Sequence, residues 1–110
     1  MRPVNRVVAV ALSTILFLSC AAFAADKATQ DLYTAKCAKC HGTDGVATTV
    51  GKKLNAKDFS DPEVMKASDQ DMIEVTTKGK AKMPGYGKSL KEDQIKALVD
   101  YIRSLNKKGK

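Results

Sequence analysis

Towards the end of the chain, apolar side chains fall at Ile95, Leu98, Val99, Ile102 and Leu105, three or four apart with charged and polar residues between them. That spacing gathers them on one stripe of a helix. Ser89, with Glu92 three residues on, predicts a capping box at its start, and Lys107 and Lys108 suit the negative end of its dipole. The stretch 26–41 has no Gly or Pro, and Tyr33, Cys37 and Cys40 keep an i, i+4, i+7 rhythm with Leu32 beside them. A first helix is therefore predicted there, stopped by Gly42 as its C-cap. From Thr43 to Ser60 neither period is sustained, and Gly45 and Gly51 permit tight turns, so this segment reads as a loop anchored by Phe59. Asp61-Pro62 predicts a short helix with Asp61 as N-cap and Pro62 in the first helical position. Ser68, with Asp71 three residues on, opens another that reaches about Thr77 before Gly79. Lys78 to Lys88 holds three glycines and Pro84 and cannot continue it. No stretch alternates like a strand and none repeats, so the fold class is all-α, with three to four helices.

The apolar run from Val7 to Cys20 follows a different logic. Arg2 and Arg6 precede it and Ala22-Phe23-Ala24 follows, the three parts of a secretory signal peptide. The expectation is a leader over residues 1–24, cleaved near Ala24/Ala25, and a mature domain over 25–110 in the periplasm. The run is short for a membrane span, and an uncleaved anchor is the alternative. A lipid anchor on Cys20 is a further one, because Phe17-Leu18-Ser19-Cys20 looks like a lipobox with a poor first residue. With 44% hydrophobic and 28% charged residues in 110, the chain makes at most one small globular domain. The mature core is marginal on its own and wants a staple.

Cys37-Ala38-Lys39-Cys40-His41 supplies that staple. Two cysteines separated by two residues and followed at once by histidine form the attachment signature of c-type haem. Helical spacing puts Cys37, Cys40 and His41 on one face, so both thiols can form thioethers with one porphyrin while the imidazole reaches its iron. The 43–60 loop would then fold around one side of this single haem c. Without haem, the same residues could be a dithiol/disulfide pair or part of a zinc site. The first would need alternating strands and helices, and the second a fourth ligand. His41 is the only histidine, so the second axial ligand is Met65, Met72, Met83 or nothing. Met65 and Met72 fall in predicted helices, where methionine more often fills a core gap. Met83 stands in a Gly-rich loop that gives its apolar character no helical explanation, with Pro84 stiffening the backbone beside it. His41 and Met83 are thus the expected axial pair.

The full chain carries 19 Lys and Arg against 12 Asp and Glu, a net +7. Loss of Arg2 and Arg6 with the leader leaves +5, and two haem propionates bring the holoprotein nearer +3. The lysines are dispersed, from Lys36 and Lys39 through Lys52, Lys53 and Lys57 to Lys78, Lys80, Lys82 and Lys88. Dispersal argues against a nucleic-acid-binding arm. Most form a solvated surface; those near the haem could make a Lys-rich rim that steers acidic redox partners.

The mature region as a whole resembles the class I c-type cytochromes of the small, soluble, single-haem bacterial kind. The resemblance rests on Cys37 to His41 after a short helix, Gly51-Lys52-Lys53-Leu54, Lys82-Met83-Pro84-Gly85-Tyr86, and Leu98-Val99-Asp100-Tyr101-Ile102 in the last helix. It implies that the first and last helices cross, with Tyr33 and Tyr101 as their aromatic contributions. Relatives commonly place a proline near Val50, with a nearby carbonyl accepting the proximal histidine's N–H, and this chain departs from that pattern. The family and the ligand set imply a monomeric electron carrier rather than an enzyme, its iron cycling between Fe(II) and Fe(III) as donors and acceptors dock near the haem edge. The alternative is a haem peroxidase or gas-binding sensor in which Met83 leaves the iron readily.

Overall fold

The computed structural model describes the backbone of residues 17–108 and the side chains of residues 27–106. Most of the expected leader, the Cys20 side chain and those of Lys107 and Lys108 lie outside the described residues. Among the described residues six helical segments run in order: α1 (Phe17–Lys36), α2 (Ala38–His41), α3 (Thr49–Lys53), α4 (Pro62–Lys66), α5 (Asp69–Lys78) and α6 (Glu92–Lys108). Three are long, and the described residues contain no strand beyond an isolated bridge between Lys80 and Met83.

The helix expected over 26–41 is corrected at both ends. It begins by Phe17, because the alanine-rich stretch before Asp26 has the same high helix propensity as the residues after it. It is interrupted at Cys37, where φ is −116°. The interruption is slight, since Cys37 N–H still donates to the Tyr33 carbonyl (2.8 Å) and His41 N–H to the Cys37 carbonyl (2.9 Å). Gly42 ends α2 at φ +74°, where a side chain would also meet the Val46 carbonyl.

Within the expected 43–60 loop, α3 is an element the hydrophobic pattern missed. Five residues are too few to display a helical period, but Thr48 caps the segment by accepting from Gly51 N–H at 3.0 Å. The caps of α4 and α5 are those expected. Asp61 accepts from Glu63 N–H (2.9 Å), and Ser68 and Asp71 form a reciprocal box (3.0 and 3.4 Å). The Ser89–Glu92 box does not form. Ser89 and Leu90 N–H both bond the Tyr86 carbonyl in a preceding turn, so α6 opens at Glu92 and Gln94 Oε1 accepts from Lys91 N–H at 2.8 Å.

The stripe on α6 is the core as expected: Ile95, Leu98, Val99, Ile102 and Leu105 are all buried, together with Tyr33, Phe59 and Leu90. Each such side chain removed from water contributes about 1.5–3 kcal/mol before entropy is counted. Tyr33 on α1 meets Tyr101 on α6 at a ring separation of 5.1 Å, the pairing expected where the first and last helices pack. Arg103 ties α6 to the α4–α5 junction through Asp69 (2.9 Å) and the Ala67 carbonyl (2.6 Å). Among the described residues no helix is long and apolar enough to cross a membrane.

Candidate functional site

Cys37, Cys40 and His41 share a single helical turn and are all half-buried, with both thiols free. Burial pushes the Cys37 thiol up to about 11, against a smaller opposing effect of Lys36. A thiol held protonated in this way is the reverse of the activated thiolate used in disulfide exchange. Among the described residues no three His, Cys, Asp or Glu side chains are grouped to share a metal ion.

Burial lowers the pKa of His41, with the Lys57 backbone opposing it, so the ring is the neutral imidazole that can offer a lone pair to a metal. Its Nδ1 is buried without a close hydrogen-bond partner, although a backbone hydrogen bond at Lys57 acts on the ring. Near the position where relatives carry proline, Val50 is largely solvent-facing, 45% exposed. The ring lies instead against Phe59, centroids 4.7 Å apart and planes 24° from parallel.

The turn that carries these groups is braced from two sides. Tyr33, fully buried, donates from its hydroxyl to the Gly42 carbonyl at 2.6 Å. On the other side Thr48 Oγ1 donates to the Lys39 carbonyl (2.6 Å) and Thr48 N–H to the Cys40 carbonyl (3.0 Å). There α3 rests on α2 so closely that a Cβ on Gly51 would run into the Cys40 carbonyl. The sequence marks Gly51 as a turn former and as part of the family resemblance but not as a contact of Cys40, and it assigns Thr48 no role. The one available signal was a threonine three residues before that glycine, an N-cap spacing.

Met83 comes from far along the chain. It closes a tight hairpin, Met83 N–H to the Lys80 carbonyl (2.9 Å) and Lys80 N–H to the Met83 carbonyl (3.1 Å), with Ala81 at φ +55°. The following residues are sewn to the end of α5, Tyr86 N–H to the Thr76 carbonyl (2.8 Å) and Gly87 N–H to the Thr77 carbonyl (3.0 Å). Tyr86 also reaches across to α1, donating from its hydroxyl to the carbonyl of Lys36, the residue before Cys37, at 3.2 Å. The Met83 segment is therefore fastened beside the cysteine turn. Met72 packs half-buried against the core, as a gap-filler should, whereas Met65 is 52% exposed on α4 and fills nothing. The second half of that expectation is corrected: α4 is one turn long and turns Met65 outwards.

Charge around the site is uneven in its pairing. Lys57 is bound to Glu63 and Lys78 to Glu74, while Asp44, Asp58, Asp61 and Asp71 accept from backbone N–H groups. Lys39, Lys52 and Lys53 on α2 and α3, and Lys80, Lys82 and Lys88 around the Met83 segment, are exposed and have no ion pair among the described residues.

Comparisons with known proteins converge on the same architecture. Residues 24–102 match the family model described as cytochrome c oxidase, cbb3-type, subunit III. Cytochrome c6 of Rippkaea orientalis is 35% identical over 71 residues, 64% of this chain and 62% of that relative's length. Cytochrome c6 of a Synechococcus strain is 33% identical over 99% of this chain and 97% of the relative. Among solved structures, the KustC0563 c-type cytochrome superposes with a TM-score of 0.65 at 35% identity, over 70% of this chain and 95% of that one. An all-α fold, a cysteine turn braced by its neighbours and these matches together place the chain in the small class I c-type cytochromes, a family of haem-bearing electron-transfer proteins rather than enzymes.

Proposed function

We propose that Cys37 and Cys40 hold one haem through thioether bonds, that His41 and Met83 are its axial ligands, and that the mature protein shuttles single electrons in the periplasm. The observation that supports this is the Tyr86–Lys36 bond, which ties the segment after Met83 to the residue before Cys37. Two free thiols, a buried neutral imidazole and a thioether sulfur then form a donor set suited to haem. Haem held in this way supplies one iron that alternates between ferrous and ferric states, with the soft sulfur favouring the ferrous form.

The chain's own residues do the rest. His41 offers its lone pair from a turn that Tyr33 and Thr48 keep rigid. The hairpin from Lys80 to Met83 limits how far the sulfur can move. The unpaired lysines on α2, α3 and the Met83 segment favour acidic donor and acceptor proteins in brief, salt-sensitive encounters. Residues 1–24 direct export, and the mature domain works as a monomer.

Protein exported in cells with a haem-attachment system should be coloured, keep its haem on a denaturing gel, and show the weak far-red band of Met-ligated ferric haem. Colourless exported protein would refute the attachment. A coloured protein without that band would refute Met83.

A further inference from the structure

A continuous helix through Cys37 would occupy the Lys36 carbonyl with the N–H of Cys40, four residues on. The interruption at Cys37 turns that N–H to the Cys37 carbonyl instead, at 3.2 Å. The Lys36 carbonyl accepts from the hydroxyl of Tyr86, 50 residues along the chain, at 3.2 Å. Tyr86 stands three residues after Met83, and its backbone is fixed on the other side. Its N–H donates to the Thr76 carbonyl at 2.8 Å and Gly87 N–H to the Thr77 carbonyl at 3.0 Å, both at the end of α5. Gly85 lies so close to α5 that a Cβ there would collide with the Lys78 carbonyl. The short segment that carries Met83 is therefore hinged on α5 by its backbone and tied to α1 by the Tyr86 hydroxyl. For an O–H donor 3.2 Å is long, so this tie gives way before the α5 bonds when the segment swings outwards.

We propose that Tyr86 is a positioning residue for Met83: its hydroxyl latches the segment to the Lys36 carbonyl and sets how often the sulfur gives up its place to an outside ligand. This rests on the reading of Met83 as an iron ligand. The half-buried ring of Tyr86 packs on the core, and phenylalanine would keep that packing, so the latch is the hydroxyl alone. Losing a weak hydrogen bond of this kind makes opening about two- to fivefold faster.

Stopped-flow mixing of the haem-loaded ferric protein with imidazole tests this, because at saturating imidazole the exchange rate is the rate at which the sulfur leaves. Tyr86→Phe should raise that limiting rate about two- to fivefold. Ser68→Ala, which weakens the fold at the opposite end of α5, should exchange at the wild-type rate. An unchanged rate in Tyr86→Phe, or an equal rise in Ser68→Ala, overturns the proposal. A wild-type protein without the far-red band would instead overturn the ligand reading beneath it.

Discussion

The hydroxyl of Tyr33 donates to the carbonyl of Gly42 at 2.6 Å from a wholly buried position. The bond spans from α1 to the residue that ends α2, and removing the hydroxyl leaves the buried Gly42 carbonyl only a long contact from Gly45 N–H (3.4 Å). Tyr33→Phe should therefore lower the free energy of unfolding by about 1–3 kcal/mol, measured by denaturant titration.

The same side chain gives stability an alkaline dependence. Burial, followed by smaller like-charge effects, holds the Tyr33 hydroxyl well above its ordinary pKa, while the unfolded chain ionises it at about pH 10. Above that pH the unfolded state binds fewer protons than the native state, so stability falls as pH rises, by about 1.4 kcal/mol per pH unit for this group. Denaturation curves taken from pH 9 upwards should fall less steeply for Tyr33→Phe than for the wild type.

The three central methionines should separate cleanly. Met83→Ala should abolish the far-red band and lower the reduction potential. Met65→Ala, at an exposed position, should keep the band and change stability by less than about 0.5 kcal/mol. Met72→Ala should keep the band but cost about 1–3 kcal/mol, because its side chain packs on the core.

Gly51→Ala tests the contact between α3 and the cysteine turn. The added methyl would occupy the space of the Cys40 carbonyl, and α3 must move away. We expect a loss of about 1–3 kcal/mol or more and a lower yield of covalently haem-loaded protein, read by haem staining against total protein.

Two serines distinguish a working cap from an apparent one. Ser68→Ala removes the oxygen that accepts from Asp71 N–H and should cost about 1 kcal/mol in thermal or denaturant unfolding. Ser89→Ala removes only a long contact to the Tyr86 carbonyl (3.4 Å) on an exposed residue, and should fall within about 0.5 kcal/mol of the wild type.

Those features decided locally could be read from the sequence. The α6 stripe and the caps at Asp61 and Ser68 each lie within a dozen residues, and each has its expected form. Other features escaped because their causes are short or distant. With only five residues, α3 shows no period, and the Tyr86 turn displaced the start of α6 beyond Ser89. The stacking of Phe59 on His41, the brace from Tyr33 to Gly42 and the fit of Gly51 against Cys40 join segments that spacing alone does not relate.

The packing of Tyr33 against Tyr101 has a temporal side as well. A polypeptide delivered amino end first presents its cysteine turn long before the helix that shuts over Tyr33 has emerged. Until that helix arrives, Tyr33 lacks the partner that buries it.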